Sequence, residues 1–294
     1  MRRKKNTRFA LITGIAAAAV TVLLAAALIV SLARDAAEKR RLEEEKSRLD
    51  ATLGVTTTVG GTHPSRLSGL QLLRAGVTDF NLFYFGDEAI CGRGASSPLG
   101  TDPAGAPYRL KLRERLREEY AAPSHFAGRV VTNNALEPFS FAAGAEDFSG
   151  TYNPGDTVGA TGLNYRLAIV APSEANTAAS GRGFASETET FLRSLRTRAE
   201  YCDVVLVIPH DESADSERAE VILALSEYYG CVTVDMREVF AGHPEYLHTE
   251  GEAVGLPNDA GHTAYAEAIA EAIATAARTA SAPSPLPTER RYPY

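Results

Sequence analysis

Residues 9–33 form one uncharged apolar run, and from about residue 79 onward short hydrophobic runs alternate with amphipathic stretches. The first run is about 25 residues long, against the roughly 20 a helix needs to cross a bilayer, and it predicts a transmembrane helix. Residues 34–53 are dense in helix formers, with Leu42 and Leu49 seven apart and Leu53 four further on, and they predict a helical stalk. The runs at 79–85 (DFNLFYF), 128–132 (GRVVT), 165–170 (YRLAIV), 203–208 (DVVLVI) and 232–235 predict strands. Between them, 107–120, 187–198, 216–229 and about 260–277 predict helices, the first with Leu110, Leu112 and Leu116 among charges. Residues 133–163, rich in glycine and aspartate, predict a long loop, and the proline-rich residues 281–294 predict a disordered tail.

Strands separated by helices of this length predict an α/β fold, a three-layer α/β/α sandwich with a central parallel sheet, flavodoxin-like in outline. The expected layout is a basic end at 1–8, a transmembrane helix at 9–33, a stalk at 34–53, one domain at 54–280 and the tail at 281–294.

Charge then sets the expected location. Arg2, Arg3, Lys4, Lys5 and Arg8 precede the apolar run, which places the amino terminus in the cytoplasm and the domain outside a plasma membrane, as a single-pass protein. A cleaved signal peptide is the alternative, but the apolar run exceeds the usual ~7–15 residues of such segments. The formal net charge of -7 includes that basic end, so the remainder is more acidic still and no nucleic-acid partner is expected. The membrane is the expected partner, and neither a dinucleotide-binding nor a phosphate-loop glycine motif is present, so no cofactor is expected. His63, His125, His210, His243 and His248 show no ligand spacing with a third partner, so no metal is expected either.

The candidate chemistry lies where the first strand ends, in FYFGDEAICG at 83–92. A buried strand ending in Gly-Asp delivers a polar loop to the carboxyl edge of a sheet, where open α/β folds keep their sites. With the later strings APSEAN (171–176) and GLPNDAGHTAYAEAIAEAI (255–273), this order resembles the SGNH (GDSL-type) hydrolases over roughly residues 79–277.

The resemblance implies an ester-hydrolase site and also shows where this chain departs from it. Gly86, Asp87 and Gly92 match the first block, but Glu88 stands where the family has its nucleophilic serine. Ala171, Ser173 and Glu174 stand at the family's Gly, Asn and Asp after the third strand, and Ser173 replaces the asparagine that helps to bind the oxyanion. Pro257 fixes the register of the last block. The catalytic histidine then falls on Leu256 and its aspartate on Ala253, while His262 corresponds to a second family histidine with a packing or capping role. A competing register uses Asp259 and His262 as the Asp-x-x-His pair and matches fewer positions. Acyl transfer needs a hydroxyl nucleophile, an imidazole base and a carboxylate to orient it, and none of Glu88, Leu256 and Ala253 can fill its role.

Three functions of different class follow. The domain binds an envelope glycan or protein, or scaffolds a complex, without catalysis; it is an esterase or deacetylase on bacterial cell-envelope glycans or lipids; or it is a spacer. The second requires a remodelled cleft of Asp87, Glu88, Ser173, Asp259 and His262, with Glu88 as base for water or Cys91 as nucleophile. In the family's strand order Cys202 and Cys231 begin neighbouring strands, which permits a disulfide outside the cytoplasm; two free thiols are the alternative, and the oligomeric state is open.

Overall fold

A computed structural model describes residues 68–76, 80–120, 126–130, 136–148, 165–177, 183–213, 216–281 and 286–292. All of them fall in the second of two compact units, Thr62–Tyr294. The expected basic end, membrane helix and stalk lie outside the described residues, and among the described residues no helix is long and apolar enough to cross a membrane.

Among the described residues five strands make one sheet: β1 (Phe80–Gly86), β2 (Phe126–Val130), β3 (Tyr165–Ala171), β4 (Asp203–Ile208) and β5 (Val232–Asp235). They pair in the order β2-β1-β3-β4-β5 with every neighbour parallel. The helices are α1 (Gly69–Arg74), α2 (Glu88–Cys91), α3 (Tyr108–Glu119), α4 (Phe141–Phe148), α5 (Phe184–Arg198), α6 (Glu217–Tyr229), α7 (Met236–Phe240) and α8 (Asp259–Thr279). A sheet wound this way reverses direction between β1 and β3, and the loops at their carboxyl ends form the natural crevice of the fold.

Alternation along β1 divides the core. Phe83 and Phe85 face α4, α5 and α6, where they meet Phe141, Phe191, Leu192, Ile222 and Leu225, and the Phe85 and Phe191 rings are 4.5 Å apart. Leu82 and Tyr84 point to the other face, which α3 and α8 cover with Tyr108 stacked on Tyr265 at 4.8 Å. Burial on both faces explains why residues 167–171 of β3 and 204–208 of β4 read as continuous apolar runs.

Several elements depart from the sequence pattern. Strand β2 begins two residues earlier than expected, because Phe126 pairs with Phe80 at the start of β1. Within the expected loop 133–163, α4 forms with its Ala143 amide on the Ser140 hydroxyl, and Phe141 packs 5.7 Å from Phe85; the small residues between hid its period. Helix α1 starts at a reciprocal capping box of Ser68 and Gln71. Residues 286–292, expected within a disordered tail, lie against α5 and α6: the fully buried Glu189 accepts the amides of Arg291 and Tyr292, and Arg193 donates to the Pro287 and Glu289 carbonyls. Composition alone disfavoured order there, and a buried carboxylate on another element overrides it.

Candidate functional site

Gly86 closes β1 at φ 148°, and a Cβ there would sit 2.0 Å from the Ala171 carbonyl oxygen at the end of β3. Only glycine lets these strand ends approach so closely. Asp87 follows as the N-cap of α2, its Oδ1 accepting the Ile90 amide at 2.8 Å, and Glu88 is the first residue of that helix. The Gly-Asp pair is therefore read here as a strand end and a helix cap. Cys91 ends α2 fully buried, out of reach of a substrate.

Glu88 is paired with a cation close by in the chain. Its Oε1 accepts from the Arg93 guanidinium at 2.6 Å, and both side chains are more than a third exposed. Arg109, which the leucine pattern of α3 did not single out, is buried and donates to the carbonyls of Ile90, Cys91 and Pro98 at 3.2–3.3 Å. The Ile90 and Cys91 carbonyls end α2, where a cation is favoured. The signal was in the sequence: Arg109 shares the buried stripe of Leu112 and Leu116.

After β3, Ser173 does not offer its hydroxyl to a ligand. The hydroxyl donates to Asn176 Oδ1 at 3.1 Å and the Ser173 amide donates to the same oxygen at 2.8 Å. Asn176 is fully buried, and its amide nitrogen donates to the carbonyls of Gly86 and Phe139 at 3.0 and 2.8 Å. Asn176 thus ties the ends of β1 and β3 to the segment before α4, a role that sequence reasoning did not assign. Its only sequence signal is an amide side chain three residues beyond Ser173 in a short loop. Glu174 pairs instead with Arg218, at 3.3 Å.

The loop into α8 is equally committed. Asp259 Oδ1 and Oδ2 accept the Ser96 amide and hydroxyl at 2.8 and 2.6 Å. His262, in the first turn of α8, is fully buried: its Nδ1 accepts the Tyr108 amide at 3.3 Å and its Nε2 lies 3.1 Å from the Arg93 carbonyl. A carbonyl accepts only, so the proton resides on Nε2 and neither nitrogen remains to act as a base. Leu256 and Ala253 lie in the loop before α8, joined by the Leu256 amide on the Ala253 carbonyl at 2.9 Å. Across it, Gly94 has φ 86°, and a Cβ there would lie 2.2 Å from the Pro257 carbonyl oxygen and 3.2 Å from Leu256 Cβ. Two histidines given no role brace this loop: His248 Nε2 to the Gly94 carbonyl at 2.8 Å and His210 Nε2 to the Gly255 carbonyl at 2.9 Å. Tyr265 holds the other side of His210, its hydroxyl 2.9 Å from Nδ1.

The electrostatics follow from burial. Asp87 is pushed up to about 7, chiefly by desolvation and further by Asp211 and Glu88, against the Ile90 hydrogen bond. Burial pulls His262 down to about 4, and the Arg93 carbonyl and Asp259 offset only part of that. Asp259 is held below its usual range by Ser96 against its own desolvation. Among the candidate residues, Asp87 adjoins Glu88, Asp259 shares a helical turn with His262, and Arg93 joins the two groups, side chain to Glu88 and carbonyl to His262. No hydrogen bond between described residues links Glu88 to Ser173 or to His262. Cys202 and Cys231 immediately precede β4 and β5, as expected, but carry free thiols; the Cys202 Sγ lies 3.5 Å from the Asp203 carbonyl at the start of β4.

No family model matches the chain, and no curated protein matches it. Solved structures do. A two-domain esterase active on acetylated mannans superposes with a TM-score of 0.51 at 17% identity, covering 78% of this chain and 58% of its own. A GDSL-like lipase described from Parabacteroides merdae gives 0.47 at 16% identity over 67% of this chain and 96% of its own. A salicylyl-acyltransferase from a tetracycline biosynthetic pathway gives 0.43 at 17% identity over 67% of this chain, which spans about half (55%) of that protein. At this identity the likeness speaks for the fold alone, and it agrees with the strand order, the Gly-Asp loop closing β1 and the long last helix entered through Pro-Asn-Asp-Ala-Gly-His. The chain has the SGNH (GDSL-type) hydrolase fold.

Proposed function

We propose that the chain is a membrane-tethered, extracytoplasmic domain of this hydrolase fold that binds or scaffolds a component of a bacterial cell envelope without acyl-hydrolase activity. One observation carries the reading: His262, the histidine nearest in sequence to the expected catalytic position, has both ring nitrogens occupied by backbone groups. An ester hydrolase needs an imidazole free to take a proton from its nucleophile. Support comes also from Glu88, a carboxylate at the nucleophile position paired with Arg93, and from the aliphatic side chains at 253 and 256. Tethering rests on the apolar run at 9–33 and the basic cluster before it.

The test is hydrolysis of 4-nitrophenyl acetate by the full chain beside Glu88→Ala. The reading expects equal background rates from both, and a gain of turnover in Glu88→Ser/Ala253→Asp/Leu256→His. Wild-type turnover that Glu88→Ala abolishes would overturn it in favour of an active esterase. Alkaline phosphatase fused after the last residue reads the topology: activity is expected, and its absence would place the domain in the cytoplasm.

A further inference from the structure

We draw no further inference here: the strongest candidate, the groove of about 430 Å³ that α3 and α8 form with the loop at 100–106, carries no proposal because nothing in the structure shows what covers it.

Discussion

The Arg93 guanidinium lies 2.6 Å from the Glu88 carboxylate, five residues back along the chain and across the turn that ends α2. Glu88 opens α2 directly after the Gly-Asp pair that closes β1, and its ion pair with Arg93 is partly open to water. An ion pair of that exposure is worth about 0–1 kcal/mol. Arg93→Ala should therefore lower the melting temperature by less than about 4 °C, read by calorimetry. A much larger drop would mean that Glu88 is a structural anchor of the loop.

His262 should behave in the opposite way. Its ring satisfies the first amide of α3 and the Arg93 carbonyl from inside the core. His262→Ala leaves both buried groups without partners and opens a cavity, at a cost of about 2–4 kcal/mol in denaturant unfolding. A cost below about 1 kcal/mol would show that the imidazole is free.

Asp87 and His262 also give the protein opposed pH dependences. Asp87 rises in the folded state from 3.8 to about 7, so the folded state holds the extra proton across that window and stability falls as pH rises through it. His262 drops from 6.5 to about 4, so the unfolded state holds the extra proton and stability falls as pH falls through its window. The two slopes largely cancel between about pH 4 and 6.5 in the wild type, each being about 1.4 kcal/mol per pH unit. Asp87→Asn keeps the capping oxygen and removes one slope. Its stability relative to wild type should grow with pH from about 4 and level off above about 7, at an upper bound of roughly 4 kcal/mol. Chemical denaturation at several pH values reads this, and a pH-independent difference would refute the raised pKa.

Asn176 and Ser173 separate what the two residues do. Asn176→Ala unties two carbonyls and an amide at the convergence of β1, β3 and the segment before α4, and should cost about 2–4 kcal/mol. Ser173→Ala removes one hydroxyl whose acceptor keeps the Ser173 amide, and should cost under about 1 kcal/mol. Comparable costs would point to a further partner for Ser173.

These contrasts mark what was legible along the chain. Strands β4 and β5 coincide with the expected ranges, and for β4 the reason is plain: a continuous Val, Leu and Ile run buried on both faces carries its own boundaries. The loops that hold the candidate residues were also placed, since Gly-Asp and Pro-Asn-Asp are strong strand-end and cap signals. Whether the side chains converge was not legible. His262 is held by residues 154 and 169 positions away, and no local pattern encodes partners at that distance. Asn176 is likewise defined by carbonyls 90 and 37 positions away. The strap at 286–292 was missed for the same reason, its order residing in Glu189 on α5.

That strap supplies the last prediction. Glu189 is fully buried and accepts three hydrogen bonds, from the amides of Arg291 and Tyr292 and from the Tyr229 hydroxyl, at 2.5–2.6 Å. Deleting residues 286–292 removes two of the three donors and leaves a buried carboxylate undersatisfied, at a cost of about 2–5 kcal/mol. In a Glu189→Leu background the strap has lost its acceptor and the carboxylate is gone, so the same deletion should cost under about 1 kcal/mol. The difference between the two deletions is the coupling between strap and carboxylate, which a double-mutant cycle isolates. Hydrogen exchange gives a second reading: the Arg291 and Tyr292 amides should be protected in the wild type and exchange freely in Glu189→Leu. Equal deletion costs in both backgrounds, or unprotected amides in the wild type, would show that Glu189 does not hold the strap.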